Sequence, residues 1–347
     1  MAKPLDGQVA LVAGATRGAG RGIARALGEA GAVVYCTGRT TRTAPSPMGR
    51  PETIEETAEL ILAAGGTAHA VRVDHTDEAE VATLIQRIQG EAGRLDILIN
   101  DVWGGDPIVD WSAKFWNLDI GQVRTLLDQA VVSHLITARH AAPLMIERKR
   151  GLIVEVTDGL GEGYRGQILY DLVKATVLRL GYAMAWDLKD AGVIALSITP
   201  GFLRSEYVLE TFGVTEANWS EAAERDPLFA ESETPAFIGR AIAALAADPG
   251  RARFAGAALS SEMLADIYHL DDADGRRPHV YRHMEHLAQG IAGGAGPLSD
   301  NDRFFAWASY LRFHRDPATA DLAERLRGRL GWEGLGAALQ PQRAAST

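Results

Sequence analysis

The chain has 347 residues, enough for one large α/β domain with additions or for two small domains. A formal net charge of -10, with 47% hydrophobic and 23% charged residues, describes an ordinary soluble chain and argues against nucleic acid or an anionic lipid surface as partner. The single cysteine, Cys36, excludes an intrachain disulfide and a cysteine-based zinc site, and suits a reducing compartment. The first residues lack the apolar core of a secretory signal, and no run of about 18 apolar residues occurs, so the expected location is the cytoplasm.

In chain order, short apolar runs alternate with helical patterns. Runs at 9–13, 33–36, 70–73, 95–99, 152–156 and 194–198 are apolar without alternation, as expected for strands buried on both faces. Helical segments at 21–30, 52–64, 79–89, 126–148 and 170–189 separate them. The pattern predicts right-handed βαβ crossovers and a doubly wound parallel sheet with helices on both faces. Residues 40–51, with Pro45, Pro47, Gly49 and Pro51, read as a surface loop. Residues 102–122 carry Trp103, Trp111, Phe115 and Trp116, which line a pocket or pack the loop onto the domain. His134 and His140 lie in a long helix and read as structural, and no His/carboxylate spacing suggests a metal. The tail carries helical patterns near 301–314 and 318–330.

Gly14-Ala15-Thr16-Arg17-Gly18-Ala19-Gly20 follows the first strand and opens the first helix. Glycines there allow a tight turn and close approach to a pyrophosphate, while the helix N-terminus offers free N–H groups and a positive dipole end. The context points to a dinucleotide site. NAD sites place a carboxylate near the end of the second strand to bind the ribose 2′-hydroxyl. Here the residues are Thr37-Gly38-Arg39, and Arg39, with Arg17 and Arg42 nearby, suits a 2′-phosphate. NADP(H) is therefore expected over NAD(H).

Tyr170 and Lys174 stand four apart at the start of a helix, on one face. A free phenol, with a pKa near about 10, exchanges protons poorly at neutral pH, and an adjacent ammonium favours its ionised form. The pair can give a proton to a carbonyl oxygen or take one from an alcohol.

Together, Gly14/Gly18/Gly20 and Tyr170/Lys174 resemble the short-chain dehydrogenases/reductases. Asp74 is similar to the family's adenine-contacting acid, Asn100 to the first residue of its Asn-Asn-Ala-Gly strand end, and Pro200-Gly201 with Ser205 to the turn that holds the nicotinamide carboxamide. The resemblance spans roughly residues 5–262, and segments 7–39, 151–174 and 266–277 look most like the branch that holds mammalian dehydrogenase/reductase member 1. It implies a nucleotide-binding domain over 1–262 and an extension over 263–347, packing on or near the active site or an oligomer interface. It also implies hydride transfer between NADP(H) and a carbonyl/alcohol substrate, with Tyr170 as acid/base, Lys174 tuning it and holding the nicotinamide ribose, and a homodimer or homotetramer built on helices 126–148 and 170–189.

Three places in the chain depart from that pattern. Asp158, beside Thr157, stands where the family has the serine that bonds the substrate oxygen. Thr157 can substitute through its hydroxyl. An anionic Asp158 repels a developing oxyanion and disfavours the phenolate of Tyr170, but suits a cationic substrate; a protonated one can donate. Ala130 stands where the family has a helical asparagine, and Asp101-Val102-Trp103 replaces Asn-Ala-Gly. Glu162 and Tyr164 face either substrate or solvent. Two alternatives follow: a cofactor-binding sensor or scaffold with little turnover, or an enzyme acting on an imine or amine.

Overall fold

In the computed structural model, residues 3–46, 48–160, 164–313 and 318–331 are described. Seven parallel strands form one sheet in the order β3-β2-β1-β4-β5-β6-β7. They are β1 (Val9–Ala13), β2 (Val33–Gly38), β3 (Thr67–Arg72), β4 (Ile97–Asn100), β5 (Gly151–Val156), β6 (Val193–Thr199) and β7 (Ala258–Ser260). Register pairs Ala13 with Thr37 and Asn100, Asn100 with Glu155, and Val156 with Ile198, so the carboxyl ends of the central strands share one edge. The order reverses between β1 and β4, which opens the crevice where such sheets bind ligands.

Helices α1 (Gly18–Glu29), α2 (Ile54–Ala63), α3 (Glu78–Ala92), α4 (Ile120–Leu127), α5 (Ser133–Glu147), α6 (Ile168–Leu188), α7 (Glu206–Thr211), α8 (Pro235–Ala247) and α9 (Ser261–Tyr268) complete the first compact unit, which runs to His279 apart from the short 162–166 segment. Alternation along each strand feeds two cores. Ala10, Val12, Ile99, Val154 and Ile198 meet Ile23 and Leu27 of α1 and Ile238 and Ile242 of α8. Leu11, Leu98, Ile153 and Ala195 meet Ile85 and Ile88 of α3, Met145 of α5 and Leu188 of α6. Helices α1 and α8 touch backbone to backbone: a Cβ on Gly22 would lie 1.9 Å from the Pro235 carbonyl oxygen.

Where the sequence pattern predicts one helix over 126–148, the structure starts at Ile120 and interrupts it with a wide π-helical turn, Asp128–Val132, between α4 and α5. Ala130 sits in that turn, fully buried. Strand β7 escapes sequence reading because it has only three residues, Ala-Leu-Ser. Helix α7, at six residues, is also too short to show a period.

The second unit, 162–166 with 280–347, contains α10 (Val280–Gly293), α11 (Asp300–Phe313) and α12 (Ala320–Leu330). These form a small helical extension closed on its own core of Ala288, Ala306, Phe313, Leu322, Ala323 and Leu326. Glu162 lies outside the described residues, as does His314. No helix among the described residues is long and apolar enough to cross a membrane, and none of their His, Cys, Asp and Glu side chains cluster as a metal site.

Candidate active site

The phosphate turn is built by contact as well as by conformation. Gly14 has φ +93°, and a Cβ there would come within 2.3 Å of the Asp101 carbonyl oxygen, so the turn must pass bare against the end of β4. Helix α1 has no side-chain cap at Arg17 and no acidic residue in its first turn. Its orphan amides are instead held from afar. The Gly18 N–H donates to the Glu206 carboxylate at 2.8 Å, and the Gly20 N–H donates to the Asp101 carboxyl. Glu206 therefore seats a carboxylate at the anion-binding end of α1. Nothing in the sequence singled it out, since it lies 188 residues from Gly18 and becomes its neighbour only through the return of β6.

Around this end stand the arginines. Arg17 is half-buried, and desolvation lowers its pKa; its Nη1 lies 3.6 Å from Glu52 but makes no hydrogen bond. Arg39, half-buried at the end of β2, lies 3.8 Å from Asp74. Asp74 is fixed by an amide and a hydroxyl bond from Thr76, at 3.0 and 2.7 Å. Thr16 stands against Gly38, where a Cβ would meet its Oγ1 at 2.8 Å. Arg42 turns away to an exposed bidentate pair with Glu59 on α2, at 2.7 and 2.6 Å. A half-buried arginine with an unsatisfied donor, beside a helix N-terminus and a bare glycine turn, fits a dinucleotide pyrophosphate.

On the other side of the crevice, α6 begins at Gln167, whose side chain caps the Tyr170 amide at 2.8 Å. The Tyr170 hydroxyl donates to Asp158 Oδ2 at 2.8 Å. Thr157 is buried, and its hydroxyl donates to the Lys174 carbonyl oxygen at 2.7 Å, tying β5 to α6. Of the two candidates for the serine position, Asp158 is therefore the one in contact with Tyr170. Trp103 and Trp111 flank the Tyr170 ring at centroid distances of 5.4 and 5.1 Å. The Lys174 ammonium lies 4.3 Å from the Trp103 ring centre and 5.6 Å from that of Tyr170. Phe115 and Trp116 pack edge to face against each other and stay exposed, so the aromatic segment divides between the site and the surface.

Behind these groups lies a buried polar network. Asn100 donates to Glu155 at 2.7 Å, and His134 Nδ1 meets the other Glu155 oxygen at 2.7 Å. His134 Nε2 meets the Val102 carbonyl oxygen at 3.0 Å, at the root of the tryptophan loop. Asn100 and His134 are thus positioning residues held by Glu155, a carboxylate that strand periodicity hid among apolar neighbours. His75, enclosed between Thr37 and Thr137 at 2.8 and 2.9 Å, is driven down to about 3 by burial and stays neutral. Burial pushes the Asp101 carboxyl up to about 7, against the opposing pull of Lys174.

After β6, the Pro200-Gly201 turn is anchored by another missed residue. The Gly201 N–H donates to Glu233 Oε2 at 2.9 Å, and Ser261 donates to the same oxygen at 2.5 Å. Burial lifts the Glu233 carboxyl to about 8. Ser205 caps α7 through the Val208 amide at 3.3 Å and packs beside Gly18, 3.6 Å from where its Cβ would be.

A glycine turn on β1, an arginine after β2, and a tyrosine and lysine on the helix after β5, all at one sheet edge, define a nucleotide-dependent oxidoreductase architecture. The short chain dehydrogenase family model matches residues 8–212, and this chain belongs to that family, as an oxidoreductase on the branch of dehydrogenase/reductase SDR family member 1. The mouse protein of that name is 34% identical over 286 residues, 80% of this chain and 86% of its own. The human one is 31% identical over 297 residues, 84% and 92% of the two chains. A solved structure, a putative NAD(P) dependent gluconate 5-dehydrogenase from Beutenbergia cavernae with bound NADP at low occupancy, is 25% identical with a TM-score of 0.60, covering 74% of this chain and 96% of that one.

Proposed function

We propose that the protein transfers hydride between NADP(H) and a small-molecule carbonyl/alcohol substrate, with Tyr170 as acid/base. The observation that carries this reading is Tyr170 and Lys174 on one face of α6, beside a glycine turn with two arginines on its flank. When bound, the dinucleotide supplies the hydride. Gly14, Thr16, Gly18 and Gly20 form its cradle, Arg17 and Arg39 take its phosphates, Asp74 and Asn100 border its adenine and ribose side, and Pro200, Gly201 and Ser205 border the nicotinamide. Lys174 holds positive charge beside Tyr170, which stabilises a phenolate. Tyr170 gives or takes the proton at its hydroxyl, and Trp103 and Trp111 limit water around it.

The NADP present with the Beutenbergia cavernae relative supports the choice of dinucleotide, as does the absence of a carboxylate in Thr37-Gly38-Arg39. Val132, Leu135 and Ile146 on the α4–α5 segment and Ile168 and Leu172 on α6 expose apolar side chains, which supports a homo-oligomer built on these helices. We also propose a cytoplasmic location and nucleotide binding within residues 1–262.

The test is fluorescence titration with NADPH and NADH, followed by turnover with a carbonyl panel. Tight NADPH binding that Arg39→Ala weakens, with turnover that Tyr170→Phe abolishes, supports the reading. Binding without any turnover favours a sensor or scaffold, and no binding of either dinucleotide overturns the assignment.

A further inference from the structure

The groups that meet the Tyr170 hydroxyl are suited to a partner that donates hydrogen bonds. Asp158 Oδ2 lies 2.8 Å from that hydroxyl, so any substrate atom bonded to Tyr170 also comes under the carboxylate. A carbonyl oxygen gains negative charge as its carbon is reduced, and a neighbouring carboxylate opposes that charge. Two neighbouring described positions, Thr157 and Ala130, do not offset that charge. Thr157 gives its hydroxyl to the Lys174 carbonyl oxygen at 2.7 Å, and Ala130 is a buried methyl. Trp111, 60% exposed and 5.1 Å from the Tyr170 ring centre, adds an aromatic face of the kind that attracts cations. Asp106, which accepts the Trp103 indole N–H at 2.7 Å, and Asp101 add further carboxyls on the same loop.

We infer that the reacting group of the substrate is a C=N bond with a basic nitrogen, an iminium in one direction and the corresponding amine in the other, and that Asp158 is the residue that selects it. This narrows the substrate class of the hydride-transfer reading and rests on it. The charges then agree. The iminium nitrogen donates its N–H to Asp158, and its charge is neutralised by the carboxylate instead of being created against it. The iminium carbon accepts a hydride from a reduced nicotinamide dinucleotide, the C–N π pair passes to nitrogen, and a neutral amine results with no further proton required. A neutral imine takes its one proton from Tyr170, which recovers it from solvent. In the oxidative direction the neutral amine loses hydride from carbon, and nitrogen supplies the electron pair of the new π bond.

Two measurements test this. The first uses no dinucleotide: tryptophan fluorescence of the full chain is titrated with pyrrolidinium and with cyclopentanol, its neutral counterpart. The ammonium is expected to bind about tenfold tighter or better, a charge-assisted bond's worth, and Asp158→Asn, matched in shape, to erase the preference. The second compares 1-pyrroline with cyclopentanone as substrates with NADPH. Wild type is expected to favour the imine, and Asp158→Ser to shift the ratio of kcat/KM values toward the ketone by about a hundredfold. Equal binding of the charged and neutral rings by wild type overturns the inference, whether or not the variants fold. So does a ketone preference in wild type, or a ratio that Asp158→Ser leaves unchanged. Failure of the protein to bind either dinucleotide sinks the hydride-transfer reading instead, and is measured separately from the ammonium preference.

Discussion

The two halves of the crevice were built under different constraints. The half on β1, α1 and β2 keeps its family's glycine turn, Gly14/Gly18/Gly20, and adds Arg17 in the turn and Arg39 after β2. The half on β4, β5 and the α4–α5 junction keeps Asn100, Tyr170 and Lys174 but replaces the groups around the reacting atoms with Asp101, Ala130 and Asp158. In the proposed reading the first half holds the dinucleotide, and its geometry is set by the bare backbone approach at Gly14. The second half is the one proposed to face the substrate, around the Tyr170/Lys174 pair. Fold similarity therefore carries the reaction type well and the substrate poorly.

The largest effect is expected where the halves meet. With a ketone or a neutral imine, which take a proton from the phenol, Tyr170→Phe should lower the single-turnover rate of hydride transfer by about 100-fold to 10,000-fold, while the NADPH dissociation constant from fluorescence stays within about twofold. An equal loss of both would mean that the tyrosine serves the cofactor half. Next, Arg39→Ala should weaken NADPH by about 10-fold to 100-fold and leave NADH nearly unchanged. Parallel loss for both dinucleotides would remove the basis for the NADP(H) assignment.

The positioning network belongs to the substrate half. Glu155→Ala leaves Asn100 and His134 without their shared partner, and should lower unfolding stability in urea by about 2–3 kcal/mol. A neutral result would mean that water replaces the carboxylate. Smaller still is Glu206→Gln, which removes an anion from the end of α1 where phosphate is expected. NADPH should bind about twofold to fivefold tighter, with the gain fading in high salt. Weaker binding would show instead that Glu206 organises the cradle.

The last effect is one of pH. Glu233, with a folded value raised to about 8 from an ordinary value near 4.5, holds its proton in the folded state where the unfolded chain has lost it. Its contribution is complete below about pH 4.5 and disappears as the pH rises through about 8. Glu233→Gln mimics the protonated form, so its melting temperature should gain on wild type steadily between those values and level off above them. A constant difference across that window would mean that Glu233 is ionised throughout.

The fold was legible because its signals are local. Continuous apolar runs and intervening helical periods come from burial on both sheet faces, and they located six strands and four of the five helices between them within a few residues, the fifth being divided in the structure. Strand β7 and helix α7 are too short to carry a period, and the π-helical turn at Asp128–Val132 leaves none in the sequence. The glycine turn and the Tyr170/Lys174 pair were readable because each is a spacing within one loop or one helix. Glu155, Glu206 and Glu233 were not. Each acts on a backbone or side-chain group brought to it by a distant strand, and sequence separation says nothing about that proximity. The choice between Thr157 and Asp158 is the sharpest case. Both were adjacent candidates by count, and alternation along β5 alone could not tell which would face Tyr170. The helix decided it: α6 packs so that the Thr157 hydroxyl meets the Lys174 carbonyl oxygen and the Asp158 carboxyl meets the Tyr170 hydroxyl. By itself the sequence determined the sheet, the turn and the reactive pair, since these depend on periodicity and near neighbours. Tertiary structure alone decided which carboxylates meet them, because that depends on how separate strands and helices close around one edge of the sheet.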